Sequence, residues 1–279
     1  MIPRNSSVHT QHEAVTLPIW MEALVALEAA VLRVSPAYWG YGLPAGDGSA
    51  VIVIPGFLMH DLYLADMRGW LGRLGYRAYA SGIGVNAECP NLLIRERLAA
   101  TIERASRETG YRKVHLVGHS LGGVIARSVA AQMPEKVASV VTLGSPFRRI
   151  AAHGSILRLT EWVRSSIHER NGPAVLPECY TAACTCAFLE SLAGKFPGSV
   201  GQTAIYTKSD GVVDWRVCST GDAAIDCEVF ATHLGLVLNP MVYRVIGQRL
   251  ARSQDSRLCK KRTSSRRASR LVRILPTGH

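Results

Sequence analysis

A serine set between glycines carries the most chemistry in this chain. Gly118-His-Ser-Leu-Gly122, with Gly123 behind it, has the form G-x-S-x-G. An apolar run, Lys113-Val-His-Leu-Val117, precedes it, and a helix-like stretch from Val124 to Met133 follows. The pentapeptide alone is common; between a strand and a helix it marks a nucleophile turn. A serine on such a turn takes strained backbone angles, and the flanking positions need glycine because a Cβ would collide with the neighbouring strand and helix. The turn lifts the hydroxyl clear of the sheet, near a helix N-terminus. The chemistry this permits is attack by Ser120 on an acyl group.

A serine nucleophile needs a base and an acid, and in this arrangement the acid and then the histidine follow it in the chain. Beyond Ser120 lie His153, His168, His233 and His279. The first two fall in an irregular segment and the last ends the chain. His233 follows a strand-like run, Glu228 to Ala231, and precedes a closing helix, so a loop there would carry a base to the top of the sheet. Asp210 follows the run Thr203-Ala-Ile-Tyr-Thr207 in the turn Ser209-Asp210-Gly211, where a carboxylate would hold the imidazole in the right tautomer. Asp214 is its rival, and Asp-Gly is also a common turn pair. Oxyanion donors are expected from the backbone N–H of Leu121 and from the loop Pro55-Gly56-Phe57, with the Phe57 N–H as candidate.

These residues need a scaffold, and the chain supplies alternating strands and helices. Val51-Ile-Val-Ile54 reads as a strand buried on both faces, stopped by Pro55-Gly56. An amphipathic stretch follows from Asp61 to Leu74, then a strand over Gly75 to Tyr79 and a helix over Asn91 to Thr109 ending at Gly110. Strands over Lys113–Val117 and Val137–Leu143, and a closing helix over Leu236–Leu250, complete the series. The pattern predicts an α/β fold with a mostly parallel central sheet and helices on both faces. Four parts are expected: an N-terminal helical segment (1–34), the α/β domain (35–251), a cap-like insertion within it (147–200) and a basic tail (252–279). No internal repeat is evident.

The 279 residues are 48% hydrophobic and 19% charged, a globular composition. The net charge of +11 is concentrated: residues 252–273 hold nine Lys or Arg against Asp255, which is +8 of it. The body is nearly balanced, so a nucleic-acid partner is not expected. The tail reads as a solvated, disordered terminus, with contact to an anionic membrane as the functional alternative. Leu17 to Val34 is interrupted by Glu22, Glu28 and Arg33, which suits an amphipathic helix on the body or on a membrane surface rather than a transmembrane span. With no basic-then-apolar leader, the chain reads as cytoplasmic or peripherally membrane-associated. Among seven cysteines, Cys179, Cys184 and Cys186 lack the fourth partner of a metal site, so buried thiols or a local disulfide are expected. Cys218 and Cys227 are placed to close a small loop under oxidising conditions.

Five segments in order, Val51-Ile-Val-Ile-Pro-Gly-Phe57, Gly118-His-Ser-Leu-Gly-Gly123, Leu143-Gly-Ser-Pro-Phe147, Asp210-Gly-Val-Val213 and Thr232-His-Leu-Gly235, resemble the bacterial α/β-hydrolase lipases and esterases. The likeness spans roughly residues 50–250 and is closest to the lipase branch that includes PGAP1-like enzymes. It implies the α/β-hydrolase fold and hydrolysis of carboxylic esters, small-molecule or lipid, through an acyl-serine intermediate without a cofactor. Position by position it gives Ser120, Asp210 and His233 as triad, with Phe57 and Leu121 as oxyanion donors. Pro55 stands where many relatives have His before the oxyanion glycine, a departure that touches substrate geometry rather than the chemistry. The alternatives are an acyltransferase using the same triad and a catalytically silent membrane-binding module.

Overall fold

A computed structural model describes residues 13–253. Eight strands form two sheets: β1 (Glu13–Val15), β2 (Ala50–Ile54), β3 (Arg77–Ala80), β4 (Val114–His119), β5 (Val137–Leu143), β6 (Ala151–His153), β7 (Gly201–Tyr206) and β8 (Asp226–Glu228). Six of them make one parallel sheet in the order β3-β2-β4-β5-β7-β8, and β1 pairs with β6 in a separate parallel ribbon. Every residue of β2, β4 and β5 is buried, as continuous apolar runs demand of strands covered on both faces.

The period of two in β2 divides the core. Val51 and Val53 point into a cluster with Trp70 and Leu71 of α2 (Ala65–Arg73) and with Tyr243 and Ile246 of the closing helix. Ile52 and Ile54 point the other way, to α4 (Ala99–Glu108) and α5 (Leu121–Gln132). The chain runs from β2 outward to β3 and then returns to β4 on the other side of β2. The order therefore reverses between β2 and β4, and a crevice opens at the carboxyl ends of such a pair. The segments leaving those two ends are the Phe57 loop and the Ser120 turn.

Several boundaries differ from expectation for local reasons. The strand expected at Glu228–Ala231 ends at Glu228, because Thr207 Oγ1 takes the next ladder positions, donating to Ala231 O at 2.8 Å and accepting from Ala231 N at 3.3 Å. The closing helix does not begin at Leu236. Residues Leu234–Leu238 form a 3₁₀ turn, Asn239 is extended as the residue before Pro240 must be, and the helix runs over 240–253 with Asn239 capping Met241 N at 2.8 Å. The 91–109 helix carries a π segment, Leu93–Leu98, between α3 (Pro90–Leu92) and α4.

The N-terminal segment is a 3₁₀ turn (Ile19–Leu24) leading into α1 (Val25–Val34). Within 147–200, α6 (Gly154–Asn171) and residues 179–182 line the cleft over Ser120, and α7 (Ala187–Ala193) sends Phe188 and Leu189 both to the cleft wall and into the core layer beside α5. Among the described residues no helix is long and apolar enough to cross a membrane. The basic tail from residue 254 onward, with His279 and Cys259, lies outside the described residues.

Candidate active site

Ser120 stands between β4 and α5 with φ +52° and ψ −124°, a conformation costing about 1–3 kcal/mol for a residue with a Cβ. Packing enforces it. A Cβ on Gly118 would overlap the Gly122 backbone, one on Gly122 the Ile54 carbonyl, and one on Gly123 the Ser145 hydroxyl. Ser120 N donates to Leu143 O at 2.8 Å, which ties the turn to β5. The Gly56 backbone lies directly against the turn, where a Cβ would come 3.1 Å from Ser120 Cβ. Phe57 N and Leu121 N donate to no acceptor among the described residues.

His233 and Asp210 are both 2% exposed, and Nδ1 of the imidazole lies 2.7 Å from Asp210 Oδ2. A carboxylate only accepts, so the proton sits on Nδ1 and leaves Nε2 as the nitrogen able to take another. Burial lowers the His233 pKa, but the Asp210 charge and hydrogen bond and the Glu22 charge outweigh it, so the value is raised above the ordinary 6.5. Asp210 Oδ1 accepts from Val212 N at 2.9 Å and Val213 N at 2.7 Å, which fixes the carboxylate plane. The rival Asp214 instead caps the short helix Trp215–Val217, accepting from Arg216 N at 3.0 Å. His153 caps α6 through Ser155 N, and His168 lies on α6; neither is hydrogen-bonded to a carboxylate.

His119, the first of the two variable residues of the pentapeptide, belongs to this site although spacing gave it no role. Its Nε2 donates to the His233 carbonyl at 3.0 Å while its Nδ1 is buried without a partner. Burial first, and then His233, push its pKa down to about 3, so it stays neutral and serves as a fixed donor. Asn86, fully buried, braces the Phe57 loop by donating from Nδ2 to Pro55 O at 2.8 Å and accepting from Leu58 N at 2.9 Å. A polar Asn in a loop gives no signal of that. Pro at position 55 fits the bracing, since only its carbonyl is used.

Ser120 and His233 open into one cleft of about 450 Å³. Its walls are apolar, with Phe57, Leu121, Phe147 and Leu157 among them, and Tyr180 of the insertion packs against Phe57 at 6.2 Å between ring centres. Cys179 reaches this wall and packs in one buried cluster with Cys89, a neighbour from before α3 that cysteine spacing did not indicate. Cys218 and Cys227 are not joined: both are free thiols, and Cys218 donates to Asp214 O.

Residues 79–175 match the family model described as alpha/beta hydrolase fold. The triacylglycerol lipase of Burkholderia plantarii is 31% identical over 139 residues, 46% of this chain and 39% of the lipase. That of Pseudomonas fragi is 31% identical over 165 residues, 53% of this chain and 50% of the lipase. The matches thus span half or less of these relatives' own length. Bacillus licheniformis lipase BlEst2 in mature form superposes with a TM-score of 0.47 at 14% identity, covering 75% of this chain and 94% of that one. The chain has the α/β-hydrolase fold and is similar to bacterial lipases and esterases built on it.

Proposed function

We propose that the protein hydrolyses carboxylic esters of apolar acyl groups through an acyl-serine intermediate on Ser120. The observation that carries this reading is the buried 2.7 Å contact between His233 and Asp210, opening with the strained Ser120 into one apolar cleft. Ser120 Oγ attacks the ester carbonyl while His233 Nε2 takes its proton. The developing oxyanion accepts from the Phe57 and Leu121 N–H groups, each such donor being worth about 10²–10³ in turnover. The imidazolium, held by Asp210, returns its proton to the departing alcohol. Water then attacks the acyl-serine, His233 takes the water's proton, and the free acid leaves as Ser120 Oγ is reprotonated.

The apolar walls support a hydrophobic acyl chain, and α6 with residues 179–182 is proposed as the cap over it. The PGAP1-like likeness rests on the five sequence segments alone. The test is turnover of p-nitrophenyl esters of graded chain length by the wild type and by Ser120→Ala. The wild type is expected to prefer medium or long chains and the variant to be inactive. Equal rates from both proteins would sink the reading.

A further inference from the structure

We infer that Glu22 is a positioning residue that staples the Asp210 loop to the His233 loop, setting the geometry and charge of the base from outside the sheet. The inference rests on the triad reading above. Glu22 Oε1 accepts from Gly211 N at 3.1 Å and from His233 N at 2.9 Å, while Oε2 accepts from Leu234 N at 2.9 Å. One carboxylate thus touches the residue after the acid, the base itself and the residue after the base. Glu28, two turns on, accepts from Thr232 N at 2.8 Å and from the Thr232 hydroxyl at 2.6 Å. Thr232 Oγ1 in turn accepts from Gly235 N at 2.9 Å.

Every backbone N–H from Thr232 to Gly235 therefore ends on a side chain. These are the orphan donors at the start of the Leu234–Leu238 turn, which has no preceding residues to bond them. The carbonyls are held too: His119 donates to His233 O, and the Tyr63 hydroxyl donates to Leu234 O at 2.8 Å. The fit with the N-terminal segment is close. A Cβ on Gly235 would overlap the Glu28 carboxylate, and one on Gly211 would come within 2.8 Å of Pro18 O and 3.0 Å of Glu22 Oε1. Both glycines are small because that segment sits on them.

The charged and titratable groups around His233 come from five elements. They are Asp210 after β7, Glu22 on the 3₁₀ turn, Glu28 on α1 through Thr232, neutral His119 at the end of β4, and Tyr63, whose hydroxyl is pushed up by burial and stays protonated. Asp210 and Glu22 both favour the protonated imidazole. A structural post would hold the loop without affecting its proton affinity; a charged staple does both.

The test uses the full chain, with ester turnover and fluorophosphonate labelling of the wild type as reference. Glu22→Gln keeps size but loses the charge and presents an NH₂ to backbone donors. It is expected to lower kcat about 10- to 100-fold, as small misplacements of a catalytic group do, with KM little changed. The acid limb of its kcat/KM profile should move to lower pH. Glu22→Asp keeps the charge but is too short to span both loops, so kcat should fall while the limb stays near the wild type's. Active, folded variants with wild-type kcat overturn the inference, and so does a Glu22→Gln limb that does not move. If Glu22→Gln melts below assay temperature, Glu22→Asp decides by its kcat, a loss of tenfold or more supporting the staple and no loss overturning it. A wild type that neither labels nor turns over ester overturns the triad reading and the staple with it; an active wild type with indifferent Glu22 variants overturns the staple alone.

Discussion

The turn around Ser120 and the loop around His233 meet at one cleft but are held in opposite ways. Ser120 is fixed by close steric packing: Gly118, Gly122 and Gly123 let β4 and α5 close on each other, on the end of β2 and on Ser145, leaving the serine no relaxed conformation. His233 sits in a loop with little regular structure of its own, held by hydrogen bonds to the carboxylates of Glu28 and Glu22 and from Tyr63 and His119, residues 204, 211, 171 and 114 positions from their partners. A nucleophile can be built by local sterics because it needs only one conformation. A base must be aimed at a second residue and its proton affinity set, and that calls on charges from elsewhere in the fold.

The comparison can be broken most strongly at the acid. Asp210→Asn keeps the shape but removes the charge and offers Nδ1 the wrong partner, so kcat should fall about 10³–10⁴-fold. Asp214→Asn, which keeps a capping oxygen, should cost less than about tenfold in activity and only about a few tenths of a kcal/mol in stability. Comparable losses from the two variants would show that the acid is misassigned.

Two alanine substitutions separate the two modes of support. The clash in Gly122→Ala is with the Ile54 backbone carbonyl, which cannot swing away. It should destabilise by about 1–3 kcal/mol or more and reduce labelling of Ser120. The clash in Gly235→Ala is with the Glu28 carboxylate, a movable group, so the variant should fold, lose the Thr232 bonds and show a smaller drop in melting temperature. Denaturant or thermal unfolding of both, ranked the other way, would contradict the contrast.

The same contrast explains what could be read from the chain. The elbow was legible because its signature, a serine among three glycines, lies within six residues, although the groups that Gly122 and Gly123 face come from Ile54 and Ser145. His233 was singled out by chain order once the helix and strand series was in place. Asp210 was preferred from its turn after a strand with Asp214 as rival, and the helix that Asp214 caps is one that composition does not announce. Glu22 and Glu28 read only as interruptions of an apolar helix, because nothing local tells a solvated glutamate from one bonded to a loop some 200 residues away. The Asn239-Pro240 helix start was visible in principle through the constraint a proline places on its predecessor.

A smaller effect concerns pH. In the proposed mechanism His233 must be neutral to accept the serine proton, and its pKa is raised above 6.5 by the Asp210 and Glu22 charges against the opposing effect of burial. Activity should therefore rise with pH through a limb lying above 6.5, and Asp210→Asn should move that limb downward. Stability runs the other way. A raised pKa in the folded state stabilises fully below the unfolded value and is lost as pH climbs through the folded one. Melting temperature across the same interval should fall slightly as activity rises, and should do so less in Asp210→Asn.

The central claim, that Ser120 is an activated nucleophile, is tested most directly by intact-mass and peptide mapping after reaction with a fluorophosphonate. One adduct per chain on the peptide containing Ser120, absent from Ser120→Ala and strongly slowed in His233→Ala, is the predicted result. Adducts on another residue, or equal labelling of the wild type and Ser120→Ala, would contradict it.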